Sequence, residues 1–395
     1  MTELPTLPFD QPSVLSLAPR MLELQAQAPI TKVRTVTGDE AWLVTSYDDV
    51  KALFADPRLG RSHPKPEEAA RISESAIVGG ARDGFETEME DHAALRSRLV
   101  PRFSPRRMRM LKPQVEQMAD ELLDKLAGST PPADLHETLA FPLPVLVICE
   151  LLGVPFADRG YFRQLSAGMA DLYDGQKSMA AMGELRGYVR ELVARKRIEP
   201  GNDVLTELTE IEDGTIGDDD IAEMGAAVLF AGHETTVGRI DLGTILLLAN
   251  PDQLDLLRAD LSLVPAVVEE ILRLSVGTDG TALPRYARSD IDFGGVRINA
   301  GDAVLLAIGA ANRDESVFPG SARMDTGREH LTSHMSFGHG ARYCIGAVLA
   351  RIELTAVFER LFTRIPTLRL AVPAAELNWK SHLLTGGFTE VPVTW

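Results

Sequence analysis

Hydrophobic and polar positions divide the chain into long stretches with helical spacing and shorter stretches that alternate. Apolar residues recur every three to four positions over residues 92–275 and 345–363, with breaks at Pro105 and Pro155. Such spacing places the apolar side chains on one face of a helix, where they can be buried together. The pattern therefore predicts that most of the chain is α-helical.

Alternating apolar and polar residues indicate short strands near residues 30–60, 280–310 and 365–395. Residues 61–91 are rich in Gly, Ser, Pro and charge and predict a long irregular loop, a kind of segment that is usually functional in a compact domain. No repeat or long linker divides the sequence. We therefore predict one domain over residues 1–395 that is mainly α with a minor β portion.

The clearest single element is a helix from about Asp218 to Ala249. Acidic residues at 218–220 suit a helix N-terminus, and Asn250-Pro251 ends the pattern. At 1.5 Å per residue the helix is roughly 45 Å long. Because it is apolar on most faces, we expect it to be buried. The polar run at 233–236 in its interior then requires an explanation.

Composition excludes several function classes. The 395 residues are 45% hydrophobic and 25% charged, which is ordinary for a globular protein, and the net charge of −17 disfavours a nucleic-acid binder. No apolar stretch approaches the roughly 20 residues of a membrane span. The first residues, MTELPTLPFDQP, carry acids and prolines instead of a basic flank and an apolar run. We expect a cytoplasmic protein with neither membrane nor nucleic-acid partners.

The two cysteines lie in different settings. Cys149 sits in the apolar run PLPVLVICELLGV and is typical of a core residue, whereas Cys344 lies among glycines just before a predicted helix. The dipole of that helix favours the thiolate form of Cys344. Three uses remain open from these residues: a structural thiol, a nucleophile with His339 nearby, and a metal ligand.

A longer motif surrounds this cysteine and reads Phe337-Gly338-x-Gly340-x-Arg342-x-Cys344-x-Gly346. It resembles the haem-binding loop of the cytochromes P-450 at every defining position. The resemblance implies the cytochrome P-450 fold, with haem b between the long helix and the cysteine loop and Cys344 as the axial iron ligand. It also implies that Phe337 packs near the sulfur and that Arg342 pairs with a haem propionate. Thiolate ligation favours O–O cleavage.

The polar run in the long helix, Ala231-Gly232-His233-Glu234-Thr235, resembles the oxygen-activation segment of the same family. The resemblance implies that Gly232 leaves room for dioxygen, that Thr235 turns its hydroxyl toward it, and that Glu234 delivers protons. A satisfied polar cluster is the alternative. A zinc-protease motif is excluded because Val237 stands where a second histidine is needed.

Further charged residues match the family in the same order along the chain. Glu270 and Arg273 correspond to its Glu-x-x-Arg pair, with Arg323 where a third partner is usual. His92, Arg96 and Arg285 correspond to residues that reach the haem propionates. Taken singly, each of these is also compatible with ordinary surface charge.

The resemblance extends over nearly the whole chain and is strongest to bacterial, actinomycete-type members, including macrolide-tailoring and pentalenolactone synthase-like ones. It implies a monooxygenase that hydroxylates or epoxidises a secondary-metabolite scaffold (polyketide, macrolide or terpenoid). A ferredoxin and a ferredoxin reductase would supply electrons, and the basic cluster over 102–112 would dock the ferredoxin. The predicted substrate contacts are Ala227, Phe230, Val276, Thr278, Leu383 and Leu384.

Two alternatives remain open for the function. The same haem chemistry can end in C–C bond formation, oxidative ring closure or aryl coupling, because those outcomes differ only in how the substrate is placed. A non-catalytic haem sensor or carrier is an alternative of another class. The presence of both Glu234 and Thr235 argues against it, since a carrier needs no proton delivery.

Overall fold

The structure is a computed structural model that describes residues 3–75, 77–169, 171–211, 214–275, 283–380 and 387–395. The chain forms two compact units, which are described separately. Unit 1 comprises residues 1–93, 242–344 and 384–386, and unit 2 comprises residues 94–241, 345–383 and 387–395. Most of the strands belong to unit 1, whereas unit 2 is mainly helical.

Thirteen α-helices occur in the described residues: α1 Pro19–Gln27, α2 Tyr47–Ala55, α3 Glu88–Leu99, α4 Pro105–Ala127, α5 Pro142–Leu152, α6 Arg159–Met169, α7 Gly175–Ile198, α8 Val204–Thr209, α9 Asp218–Ala249, α10 Pro251–Ala259, α11 Val264–Leu274, α12 Ile308–Ala311 and α13 Ala347–Arg364. A π-helical turn, His136–Ala140, precedes α5. No described helix combines the length and apolarity that a membrane crossing requires.

Ten short strands occur in the same residues: β1 Ile30–Arg34, β2 Glu40–Val44, β3 Leu59–Gly60, β4 Ala133–Asp134, β5 Arg285–Ala287, β6 Ile291–Phe293, β7 Val296–Ile298, β8 Ala303–Leu306, β9 Arg369–Leu370 and β10 Pro392–Thr394. They fall in the three predicted regions, apart from β4. The mainly α fold with a minor β portion is confirmed.

Unit 1 is built around a five-stranded sheet in the order β1-β2-β8-β5-β3. The antiparallel β1–β2 hairpin pairs Ile30 with Val44, and β2 runs parallel to β8 through Trp42 and Val304. Fully buried side chains such as Leu43 and Val304 form the core on its faces. The sheet and its helices provide the rigid base from which the cysteine loop extends.

Unit 2 is helical, and its main packing pair is α4 against α13. Arg360 of α13 binds Glu116 and Asp120 of α4, at 3.2 Å from each carboxylate. Val115, Leu123 and Phe358 are among the apolar residues buried on these helices. A small sheet in the order β4-β10-β9 closes one end of this unit.

The long helix begins and ends where the sequence predicted. Acidic residues 218–220 occupy its first turn, where their negative charges interact favourably with the helix dipole. At the other end, Pro251 begins the next helix directly after Asn250. Between Ile221 and Asp241 most residues are buried, apart from one exposed stripe. The predicted helix over 218–249 is confirmed, and most of its residues are buried.

Candidate active site

The cysteine loop of unit 1 turns tightly between Phe337 and Cys344. Gly338 and Gly340 both have φ of +70°, in the left-handed region that side chains disfavour. A Cβ at Gly340 would lie 3.1 Å from the Cα of Ala55, so the loop also needs glycine there for close approach. The Cys344 amide donates to the Phe337 carbonyl at 2.9 Å, and the Cys344 side chain is exposed. The loop thus carries Cys344 at an exposed position, with a backbone hydrogen bond that closes the turn.

Hydrogen bonds fasten the start of the loop to α11 and to Asn312. The Ser336 hydroxyl donates to the Leu272 carbonyl at 2.6 Å. Asn312 donates from Nδ2 to Ser336 Oγ at 2.9 Å and accepts from the Met335 amide at 2.7 Å. All these groups are polar atoms in a buried region, so each bond removes a desolvation cost. The cysteine loop is therefore anchored at the C-terminal end of α11.

The Glu-x-x-Arg pair lies immediately behind that anchor. Glu270 and Arg273 are completely buried and joined by two hydrogen bonds, and Arg273 also donates to the Asn312 carbonyl at 2.8 Å. The third partner is Arg328, whose Nε donates to Glu270 at 3.2 Å. Arg323, which the sequence suggested for this role, offers only its backbone carbonyl to Arg273. The third partner thus lies five residues beyond the position that the sequence suggested, because the connecting turn has no periodic pattern from which its position could be predicted.

Four arginines of unit 1 lie close enough to affect one another. Arg342 binds Glu88, which also accepts from the amides of Arg61 and Ser62. Burial, reinforced by the charges of Arg285 and Arg82, lowers the pKa of Arg61 to about 9. Burial and the charge of Arg342 likewise lower the pKa of Arg285 to about 10. The cluster holds more positive charge than Glu88 balances.

This arginine cluster suits a ligand with carboxylates. Arg61 is 4% exposed, and its Nη1 donates to the Pro284 carbonyl at 2.8 Å. Its Nη2 is buried without a hydrogen-bond partner in the described part of the chain. Buried guanidinium groups normally bind anions through charge-assisted bonds. Sequence reasoning overlooked Arg61, because it opens a segment with no periodic pattern.

The remaining predicted propionate contacts lie on two elements. His92 and Arg96 are half-buried on α3, one helical turn apart. Arg285 is buried on β5, with its guanidinium 5.9 Å from the centre of the Phe54 ring. Gly346 directly precedes α13 as its N-cap residue. Of all the predicted propionate contacts, Arg285 and Arg342 belong to the arginine cluster of unit 1.

In unit 2 a stripe of exposed positions runs along the otherwise buried helix α9. From Ile221 to Asp241, all of which are described, the exposed residues are Glu223, Ala227, Ala231 and Thr235. Their spacing of four residues places them on one helical face. The three that follow Glu223 are uncharged and small. This face is therefore accessible to a ligand, whereas Phe230 is buried at 9% exposure.

Two residues of the polar run have contacts that the sequence did not indicate. A Cβ added at Gly232 would lie 2.8 Å from the terminal methyl of Ile148 of α5, so close packing on this side chain favours a glycine here. Thr235 donates its hydroxyl to the Ala231 carbonyl at 2.9 Å, in the back-bonded arrangement within the helix. The hydroxyl is thus held on the exposed stripe, next to Ala231.

Glu234 is buried, and burial raises its pKa to about 7. Its neighbour His233 is fully buried and packs edge-on against Phe141, with ring centres 4.7 Å apart. A second buried pair, His136 and Asp241, lies in the same unit with Nδ1 and Oδ2 2.7 Å apart. Sequence reasoning missed this pair, because its members are 105 positions apart. A carboxyl group that changes protonation near neutral pH is suited to proton transfer.

Four of the predicted substrate contacts, Val276, Thr278, Leu383 and Leu384, lie outside the described residues. Ala227 and Phe230 lie on α9, the first exposed and the second buried. The structure therefore supports access to the Ala227 side of the helix. It gives Phe230 a place in the core of unit 2.

An exposed cysteine on a loop anchored to α11, with buried arginines in excess of their anions, suits a haem-thiolate site. The family model "Cytochrome P450" matches residues 176–365. Pentalenolactone synthase of Streptomyces exfoliatus is 54% identical over 401 residues, covering 100% of both chains. Mycinamicin IV hydroxylase/epoxidase of Micromonospora griseorubida is 37% identical, covering 98% of each.

A solved structure gives the same result for the fold. The substrate-free polyene macrolide antibiotic pimaricin epoxidase PimD superposes with a TM-score of 0.87 at 39% identity, over 100% of both chains. The chain belongs to the cytochrome P-450 family. It is accordingly a monooxygenase of the kind that oxidises secondary metabolites, and the family uses a haem iron with a thiolate ligand and external redox partners.

Proposed function

We propose that Cys344 is the axial thiolate ligand of haem b, and that the enzyme hydroxylates or epoxidises a polyketide, macrolide or terpenoid scaffold. Dioxygen is the oxidant, and a ferredoxin with its reductase supplies electrons. The observation that carries the cofactor assignment is the buried Nη2 of Arg61, which lacks a partner within the described chain and belongs to the Arg285–Arg342 cluster. Such a cluster fits the two carboxylates of haem b.

Each of the chain's own groups then has a defined task. When bound, the haem supplies the activation of dioxygen and the two-electron oxidation. The loop from Phe337 holds the Cys344 thiol in place through its backbone hydrogen bond. Arg342 and Arg285, with His92 and Arg96, bind propionates. Gly338 and Gly346 allow the backbone to approach the ring closely.

Proton supply falls to the polar run of α9. Glu234 is half-protonated near pH 7, so it can both hold and release a proton at its carboxyl group in the cell. Thr235 carries its hydroxyl on the exposed stripe, where it can donate to a ligand in place of the Ala231 carbonyl. The neighbouring Gly232 and Ala231 add no bulk there. In this division of tasks, the Glu234 carboxyl group stores the proton and the Thr235 hydroxyl positions it.

The substrate is proposed to lie along Ala227 and Ala231, with Val276, Thr278, Leu383 and Leu384 as the other contacts and Phe230 as the buried residue beside this stripe. Small side chains on the exposed stripe leave room for a bulky ring system. The compound converted by pentalenolactone synthase is the first candidate, because that relative is 54% identical over the full length. End-to-end coverage also supports the proposal that residues 1–395 act as one domain.

The ferredoxin is proposed to dock on the basic cluster over residues 102–112. Arg106 and Arg109 are exposed on α4, while Arg102 and Arg107 bind Glu207. The exposed pair therefore carries the positive charge that an acidic donor protein would meet. A cytoplasmic location belongs to the same proposal, because the reduced donors that the enzyme needs are maintained there.

Ring closure or another coupling outcome is the second candidate. The name pentalenolactone synthase denotes product formation without specifying hydroxylation, and it belongs to a highly similar chain. A non-catalytic haem sensor or carrier has less support, since it has no use for a carboxyl group that titrates near pH 7.

An optical titration of the purified ferric protein tests the proposal. The ligands are the compound accepted by pentalenolactone synthase, a macrolide panel, other terpenoids and aromatic peptides. A low-spin to high-spin shift with one class identifies the substrate class, and product analysis then separates hydroxylation or epoxidation from ring closure. A protein that takes up no haem, even when haem is supplied during expression, contradicts the proposal.

A further inference from the structure

A buried acid–base pair in unit 2 joins His136 of the π-helical turn to Asp241, which lies on the same helix as Glu234. His136 Nδ1 and Asp241 Oδ2 are 2.7 Å apart, and Asp241 is completely buried. Glu234 and Asp241 are seven residues apart on α9, which places their side chains on one helical face, two turns apart. The second oxygen of Asp241, Oδ1, is buried and has no hydrogen-bond partner in the described residues. An anchor that served only stability would be expected to satisfy both oxygens.

Aromatic rings connect this pair to the polar run. Phe141 packs against both histidines, with ring centres 5.8 Å from His136 and 4.7 Å from His233. His233 Nδ1 lies 3.7 Å from the nearer carboxylate oxygen of Glu234. Phe162 also packs against His233, with ring centres 5.8 Å apart. These rings exclude water, so charges in this region act on one another more strongly than at the surface.

The backbone holds His136 in an uncommon conformation. It begins the π-helical turn that ends at Ala140, and its amide donates to Asp134 Oδ1 at 2.9 Å. Asp134 also accepts from the amide of Val391, next to the small sheet of unit 2. Single π-helical turns occur frequently at functional sites. The imidazole is thus positioned by two elements that are distant in sequence.

The charged groups that affect Glu234 come from three elements: His136 from the π-turn, Asp241 from α9, and Lys380 from the C-terminal segment. The His233 ring lies beside the Glu234 carboxylate. Burial is the main cause that raises the pKa of Glu234, and the charges of His136 and Lys380 oppose it while Asp241 adds to it. Burial lowers the pKa of His136, but the hydrogen bond and charge of Asp241 outweigh this and raise it overall. His136 is therefore stabilised as a cation.

We propose that His136, kept as a cation by its hydrogen bond to Asp241, is a positioning residue for Glu234 that favours release of the Glu234 proton at neutral pH. His136 acts through its charge, Asp241 acts by holding that charge in place, and neither changes its protonation during turnover. This inference rests on the proposed function, in which Glu234 supplies protons. Without the cation, Glu234 retains its proton to higher pH and is a poorer donor.

The test follows the protonation of Glu234 directly in the haem-bound protein. Infrared difference spectra across pH 5–9 detect the C=O band of a protonated carboxyl group, and loss of the band in Glu234→Gln assigns it. His136→Gln keeps a hydrogen-bond donor toward Asp241 but removes the charge. Its midpoint should rise by about one pH unit, because loss of a buried positive charge disfavours the ionised carboxylate. The exposed-histidine variant His330→Gln should leave it unchanged.

A reciprocal measurement covers the case in which His136→Gln does not fold. Selective ¹⁵N labelling of histidine in the diamagnetic ferrous carbon monoxide form reports the titration of His136. Because coupling is mutual, Glu234→Gln should lower the His136 midpoint by the same amount. An unchanged midpoint in either experiment overturns the role of the pair. Failure to bind haem contradicts the proposed function instead, so the two failures are distinguishable.

Discussion

Arg273 binds both carboxylate oxygens of Glu270, with Nε to Oε1 at 2.7 Å and Nη2 to Oε2 at 2.9 Å, and both side chains are fully buried. The same guanidinium donates to the Asn312 carbonyl, and Asn312 binds the residues that start the cysteine loop. The ion pair is therefore connected through Asn312 to Met335 and Ser336, which start the loop that ends at Cys344.

Removing one member of this pair should unfold the base of the loop. Glu270→Ala leaves the Arg273 charge buried with fewer partners, and a loss of about 3–5 kcal/mol in the free energy of unfolding is expected. Urea denaturation of the apoprotein and haem content both report the effect. Glu68→Ala breaks an exposed pair with Lys65 and should leave the urea midpoint nearly unchanged. Equal losses in the two variants would contradict this account.

The two cysteines should separate cleanly by spectroscopy. Cys344→Ser is expected to abolish the thiolate signature of the ferrous carbon monoxide complex, because the hydroxyl is a far weaker ligand than a thiolate. Cys149→Ser, at a buried position of α5, should retain the signature and lose only some stability. If the Cys344 variant keeps the signature, another residue is the ligand.

Local signals allowed the long helix to be predicted to the residue. Acids at 218–220 and the Asn250-Pro251 stop are adjacent to the ends they define, so no tertiary information was needed. The cysteine motif and Glu270–Arg273 were found for the same reason, since each lies within one turn or loop. Sequence patterns of this kind report contacts between near neighbours.

Contacts between distant segments were not predictable in this way. His136 and Asp241 meet across 105 positions, and the importance of Arg61 depends on Arg285 and Arg342 far along the chain. Arg328 replaced Arg323 as the partner of Glu270 because an irregular turn sets which side chain reaches inward. The close packing of Gly232 on Ile148 is likewise a property of the helix pair.

Replacing Arg61 should affect the apoprotein and the haem-bound protein in opposite directions. Arg61→Met removes a buried charge that is repelled by its neighbours, so the apoprotein should unfold at the same or higher urea concentration. Haem affinity should fall by about tenfold or more, because one charge-assisted bond is lost. Haem transfer to apomyoglobin measures that affinity.

The matched control for this variant is Arg58→Met. Arg58 is exposed and binds Asp56, three positions before Arg61. It should leave haem transfer unchanged. An Arg61→Met protein with unaltered haem affinity would show that the buried guanidinium does not contact the cofactor.

Thr235→Ala should uncouple oxygen consumption from product formation. The variant lacks the hydroxyl that the exposed stripe offers to a ligand, so proton positioning is impaired while haem binding is not. Product per reduced nicotinamide consumed should fall several-fold, with hydrogen peroxide increasing to match. Thr236→Ala alters a buried threonine one position away and should leave this ratio near the wild-type value. Unchanged coupling in Thr235→Ala would remove Thr235 from the mechanism.

Because the pKa of Glu234 is raised, the free energy of unfolding should also depend on pH. Burial raises it from 4.5 to about 7, so between these values the folded protein keeps a proton that the unfolded chain releases. Stability is consequently present in full below pH 4.5 and is lost as the pH rises toward 7, by about 3 kcal/mol at ~1.36 kcal/mol per unit. Glu234→Gln, which cannot ionise, should therefore be more stable than the wild type at pH 8. At pH 4.5 the two should unfold at nearly the same urea concentration, and a difference that does not vary with pH would contradict the assignment.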